Sequence, residues 1–385
     1  MTRDLKILSA SMLTWGIGEG MFFIFQPLYI QQLGADPILI GVILGVNGLV
    51  MSLSQIPSGY LADKIGRRPL MWFSWISGLA ATWIMALAPS LGAFVAGLML
   101  YGVTSSVMAP LNTYVQGARG NWSVGRAVTF ISATYNIGGI LGPIVGGLVA
   151  ERFNLRSVYF AAGILFAIST LIVLFVRKQP VQALIIMEGD THLLKNKRFM
   201  SMLAMIALVM IAVTLPQPLT ANFLQNQREM SLGQIGQLGS LAALGSVLMM
   251  LIFGHLPAGT AMLIGQGGLM LFSLLIWGGR SFVWYGLGYL FMGGYRLSRA
   301  MTVALVQPLV RAGEVGLAFG MVESLNAGAF MVAPILAGLL YDWRPVSVYP
   351  VSLLVLIVAF VLSLRYFIGR GSAPRADKRL IGRKI

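Results

Sequence analysis

The chain has 385 residues, 57% of them hydrophobic and only 10% charged, whereas a soluble domain carries about 25% charged residues. Net charge is +15, cysteine is absent, and there are two histidines, His192 and His255. A water-soluble core, a disulfide framework, a thiolate metal site and a cysteine nucleophile are thereby excluded, and two distant histidines make no metal motif.

Apolar runs of membrane-crossing length recur along the whole chain, at a mean hydropathy of +0.82. Twelve helical spans are predicted, at 6–33, 37–59, 70–88, 91–115, 127–150, 157–176, 199–224, 233–254, 260–278, 282–310, 315–341 and 346–368. Most are long enough to cross a ~30 Å hydrocarbon core, the longer ones with tilt. Helices are expected because lipid offers no partner to open backbone groups, and the short alternating segments of a β-barrel are missing. The start, from Met1 to Lys6, is short and charged, and the apolar stretch after it exceeds a signal-peptide core, so it is expected to stay as the first helix.

The basic residues are distributed unevenly. Of 27 Lys and Arg, 20 fall on the side of the predicted termini, 5 on the other side, and Arg296 and Arg299 lie within a span. The positive-inside rule then predicts a multi-pass protein of the cell (inner or plasma) membrane with both termini cytoplasmic. It also accounts for the net charge without nucleic acid. The basic tail, 369–385, can touch anionic lipid.

A long polar interruption near 178–198 divides the chain into a six-span bundle at 1–177 and a second at 199–368. The halves resemble each other. An offset of 191 residues superposes Gly97–Glu151 on Gly288–Asp342 and pairs Gly125 with Gly316, Pro143 with Pro334 and Gly147 with Gly338. An offset of 195 pairs Gly41 with Gly236 and Gly59 with Gly254. Parallel repeats of this kind place a binding site at the repeat interface near the bilayer midplane.

After the second span stands Gly59-Tyr60-Leu61-Ala62-Asp63-Lys64-Ile65-Gly66-Arg67-Arg68. It resembles the signature G-x-L-a-D-r-x-G-r-r of the major facilitator superfamily, in the position the family has it. Gly138-Gly139-Ile140-Leu141-Gly142-Pro143-Ile144-Val145-Gly146-Gly147 in span five resembles part of the antiporter motif of that family's drug/proton exchangers, with Thr129 at the upstream glycine position. The resemblance implies an all-α integral membrane fold of 12 transmembrane helices in two pseudo-symmetric six-helix bundles. It also implies a monomeric transporter, not an enzyme, with a small-molecule substrate and no cofactor or metal. Gly59, Asp63, Gly66, Arg67 and Arg68 would form a cytoplasmic gate, with Gly59 and Gly66 letting the chain turn. Gly138, Gly142, Pro143, Gly146 and Gly147 would let helices pack closely. Two departures stand out. The corresponding loop of the second half, Gly254-His255-Leu256-Pro257-Ala258-Gly259, lacks the acid and arginines. Leu98 also occupies the position, four before Gly102, where many proton-coupled members carry arginine.

Glu19, Arg296, Arg299 and Glu323 lie within spans. A charge at a helix centre costs roughly 2.5–3.5 kcal/mol on insertion scales, so each needs a wet cavity or a partner. Glu19 is flanked by Trp15, Phe22 and Phe23, and helical spacing puts Gln26 on its face. Arg296 and Arg299 share a face of span ten, with Glu323 of span eleven as a candidate partner. Glu323 and Asn326 share a face. Glu19 and Glu323 are therefore candidates for proton coupling. Gln26, Asn112, Asn136, Arg296, Arg299 and Asn326 are candidates for substrate contact, with Asn47, Gln55, Tyr135 and Gln217 as polar neighbours. The leading expectation is proton-coupled efflux of amphipathic organic compounds, with protons as the coupling ion. The paired arginines suggest uptake or exchange of a small organic anion or lipid head group as the alternative. A membrane-embedded enzyme or receptor is remote, since H-E-x-x-H, G-x-S-x-G and P-loop patterns are all missing.

Overall fold

The computed structural model describes residues 1–179, 196–310 and 315–368, and only the backbone at 56–60, 62, 63, 109, 315 and 316. Most of the 178–198 segment and the whole 369–385 tail lie outside the described residues.

The first half is built from α1 (Arg3–Phe23), α2 (Gln26–Gln32), α3 (Pro37–Ile65), α4 (Arg67–Leu87), α5 (Leu91–Val103), α6 (Met108–Ala118), α7 (Val124–Arg152) and α8 (Leu155–Val173). The second consists of α9 (Lys197–Thr214), α10 (Thr220–Arg228), α11 (Leu232–Phe253), α12 (Ala258–Gly278), α13 (Phe282–Phe291), α14 (Gly294–Val306), α15 (Val315–Trp343) and α16 (Val348–Ile368). Polar caps start many of them. The side chains of Thr2, Ser90, Ser123, Asn154, Asn196 and Ser231 accept backbone N–H bonds, each satisfying a donor the helix leaves open.

The twelve spans map onto these helices with interruptions in spans one, four, seven and ten, span four by a tighter 3₁₀ turn at Thr104–Val107 between α5 and α6. Ten helical stretches are long and apolar enough to cross a membrane alone, and an eleventh span is the bent pair α1 and α2, which meet at 46°. Pro27 in the first turn of α2 cannot donate a backbone bond into the preceding turn, which favours a break there. Span seven is likewise divided into α9 and α10. Span ten is divided at Met292 and Gly293, and the break lies directly on α11 at Gly245, leaving no room for a side chain on Gly293.

The core of the first half is aromatic. Trp15 packs on Phe166 with centroids 4.3 Å apart and on Trp75 at 5.2 Å, and Phe22 meets Tyr101 edge-on at 5.2 Å. The Trp75 indole donates to Ser11 (2.9 Å) and Ser169 (3.0 Å), so its one polar atom is satisfied within the apolar interior.

The halves meet along two related seams at the end of the molecule away from the termini. In one, Gly147 and Pro143 of α7 pack on Gly236 of α11, with the Gly236 Cα 3.1 Å from where a Gly147 Cβ would stand. In the other, Pro334 and Gly338 of α15 pack on Gly41 of α3, and a Cβ on Gly338 would lie 2.6 Å from the Pro37 carbonyl oxygen. Three of the matched pairs, Pro143 with Pro334, Gly147 with Gly338 and Gly41 with Gly236, are thus seam residues. Asn222 of α10 strengthens this closure by donating to the Pro27 carbonyl (3.1 Å) and to Gln31 Oε1 (2.6 Å).

Candidate functional site

Close packing of α1 on α7 sets the centre of the site. Glycines of α1 (Gly16, Gly20) face glycines of α7 (Gly138, Gly142, Gly146), and a Cβ on Gly138 would lie 2.6 Å from both the Leu13 oxygen and the Ile17 nitrogen. The backbones therefore approach as small residues allow in membranes. This brings Tyr135 to Glu19: the phenol donates to Glu19 Oε2 at 2.8 Å. Trp15 and Tyr101 complete the polar surround of the carboxylate. Glu19 borders a cavity of about 70 Å³ lined by Trp15, Tyr101, Tyr135, Met12, Met51 and Met108 among others, with hydroxyls from Ser74, Thr104 and Ser105.

The second half supplies the opposite sign. Arg296 of α14 is exposed and its Nη1 donates to Asn136 Oδ1 of α7 at 3.4 Å, a contact between halves. Asn136 is the neighbour of Tyr135, so one turn of α7 holds the partners of both Glu19 and Arg296. Arg299 is instead tied to Glu323 of α15, Nη2 to Oε2 at 3.0 Å, and its guanidinium lies 5.9 Å from the Phe330 ring centroid. Asn326 donates to the other oxygen of Glu323 at 3.4 Å, and its own Oδ1 is buried without a partner.

The remaining candidates are placed differently. Gln26 is buried beyond the 46° bend, which interrupts the continuous helical face assumed from spacing. Asn112 is exposed on α6 and outside the lining of the Glu19 cavity. Of the gate motif, Gly59 and Asp63 have no described side-chain surroundings. The backbone of α3 continues through both to Ile65, so the turn is made at Gly66 alone, whose φ of 88° suits glycine, and the expected turn at Gly59 is corrected to helix. Arg67 donates to the Thr113 carbonyl (3.3 Å) and to Gln179 (3.2 Å), and Arg68 stacks 4.0 Å from the Trp72 ring centroid. Thr113 and Trp72 belong to the first half, and Gln179 follows directly after it. Pro143 and Gly147 serve the seam to α11, whereas Gly138, Gly142 and Gly146 serve the packing on α1.

Spacing gave no sign of Glu151. Its carboxylate touches the first turn of α11 at Gly233, across the α7–α11 seam. The amide end of a helix favours negative charge. The signal was available: Glu151 stands where the 191-residue offset places Asp342, at the same end of the repeated span.

The sequence profile described as Major Facilitator Superfamily matches residues 8–294. The inner membrane transport protein YajR of Escherichia coli is 28% identical over 40% of this chain and 36% of its own length. The multidrug resistance protein MdtG of Salmonella arizonae is 26% identical over 55% of each chain, so the matches span about half or less of these relatives. Among solved structures, a mutant of the nucleoside transporter NupG superposes with a TM-score of 0.82 at 15% identity, covering 95% of this chain and 99% of its own. The human organic anion transporter MFSD10 gives 0.67 at 16%, covering 94% and 99%. Profile, twelve-span helical architecture and paired bundles agree: the chain belongs to the Major Facilitator Superfamily of multi-pass membrane transporters.

Proposed function

We propose that the protein exports amphipathic organic compounds in exchange for protons, by alternating access between two rocking bundles of 1–177 and 199–368. The observation that carries this reading is the acid in the middle of the first span, Glu19, held by Tyr135 beside a cavity and next to the contact between halves. A carboxylate in that position exchanges a proton for a cationic or polar group. The α7 glycine motif supports the same reading, because it positions Tyr135 against α1 and forms one seam. The seams are closed at the end away from the termini, while among the described residues Arg67 and Arg68 meet Thr113, Gln179 and Trp72 and nothing of the second bundle. With both termini cytoplasmic, closure at the far end corresponds to an inward-open state. The name of the MdtG relatives agrees with efflux of drugs.

The test is transport by the purified chain in proteoliposomes with an imposed proton gradient. Wild type is expected to move substrate with proton counterflow, and Glu19→Gln to abolish the dependence on the gradient. Unchanged gradient-driven transport by Glu19→Gln removes Glu19 from the mechanism. The organic-anion reading finds less support, because Arg299 is engaged by Glu323 and only Arg296 is left to meet an anion.

A further inference from the structure

Glu19, Arg296, Arg299 and Glu323 are the intramembrane charges, and two of them neutralise each other. Arg299 and Glu323 are paired at 3.0 Å within the second half. Glu19 and Arg296 have no ion-pair partner among the described residues; neutral groups hold them, Tyr135 at Glu19 and Asn136 at Arg296. They belong to different halves and carry opposite sign. The groups that hold them, Tyr135 and Asn136, are consecutive residues of α7.

The surroundings differ as the charges do. Around Glu19 stand the rings of Trp15, Tyr101 and Tyr135 and the thioethers of Met12, Met51 and Met108. Aromatic faces attract cations, more strongly when water is excluded. The space beside them, about 70 Å³, equals roughly two waters at ~30 Å³ each. That suits a primary or methylated ammonium head, not a whole drug. Arg296 is exposed and offers a planar fork suited to a carboxylate or phosphate.

We propose that the cargo is a zwitterion whose ammonium head enters the aromatic pocket at Glu19 while its anionic group engages Arg296 on the other half. This rests on the reading of Glu19 as the cargo-binding acid. It adds that the opposite charge is required on the same molecule. A bridging zwitterion contacts both halves at once and neutralises both free charges. A simple cation leaves Arg296 uncompensated, and a simple anion leaves Glu19 so.

The experiment uses the full-length chain in detergent, with no gradient, so that it reads charge complementarity and not proton coupling. The probes are para-(aminoethyl)benzoic acid, its methyl ester and its N-acetyl derivative, which keep one skeleton and carry both charges, the cation alone and the anion alone. Affinity is read by thermal shift titration. A hydrogen bond to a charged group is worth about 1.5–3 kcal/mol, so the zwitterion is expected to bind about tenfold or more tightly than either derivative. Glu19→Gln should erase its advantage over the N-acetyl anion, and Arg296→Gln its advantage over the ester. Equal binding by all three probes, or by none, overturns the proposal, as does an ester that binds as tightly as the zwitterion. Loss of proton coupling in vesicles with this selectivity intact would instead count against the exchange mechanism alone.

Discussion

The Arg299–Glu323 pair decides how many charges the site has to offer. Its side chains are 40% and 44% exposed, so the pair is not fully desolvated and is worth far less than a buried one. Removing one member still leaves the other in the membrane interior, next to Phe330 and Asn326. Glu323→Met is therefore expected to lower the melting temperature more than Arg299→Met with Glu323→Met together, by an amount equivalent to about 1 kcal/mol. Equal or greater loss in the double variant would show that the pair contributes no mutual compensation. The sequence placed Glu323 among the partners of span ten because consecutive spans bring few acids near an arginine. It could not separate the paired Arg299 from Arg296, since three residues of helix put both on one face and only the packing of α15 chooses between them.

At the scale of elements, α7 does two tasks with one glycine-rich stretch. Gly138, Gly142 and Gly146 face α1, whereas Pro143 and Gly147 face α11. The two sets predict different failures. Gly138→Leu inserts a side chain against the Leu13 and Ile17 backbone, and overpacking of that kind costs about 1–3 kcal/mol. It should lower stability and separate Tyr135 from Glu19. Gly236→Leu obstructs only the state in which α7 and α11 touch, so it should leave expression and folding near normal while opening the end away from the termini. Site-directed labelling of a cysteine placed at Ser240, buried on α11, tests this: its accessibility should rise in Gly236→Leu and stay unchanged if the seam does not move. The native chain has no cysteine to interfere. The seams were legible as repeated Gly and Pro because backbone contact tolerates nothing larger. The interruptions of spans one, seven and ten were not, because hydropathy runs unbroken across Phe23–Gln26 and Met292–Gly293. Gly59 misled for the opposite reason: the apolar helix α3 carries it without a turn.

For the whole molecule, composition alone settles the class of fold, since a chain with 10% charge and repeated apolar runs can be satisfied only in lipid. The pseudo-symmetry adds the motion. Two equivalent seams, α7 with α11 and α3 with α15, close the same end, and under the proposed mechanism the bundles rock between closing that end and closing the other. Arg296 reaches Asn136 where the halves face each other, so cargo held there as proposed is expected to sense which end is closed. Occupation by a bridging compound should stabilise the chain with the logarithm of its concentration relative to the dissociation constant. The most direct measurement is a pair of spin-label distances, one between cysteines at Gln32 and Gln227 near the seams and one between cysteines at Arg119 and His255 at the other end. Changing pH and adding cargo should lengthen one distance as the other shortens, and Glu19→Gln should remove the pH dependence. A seam that stays closed under every condition while transport proceeds would contradict the account.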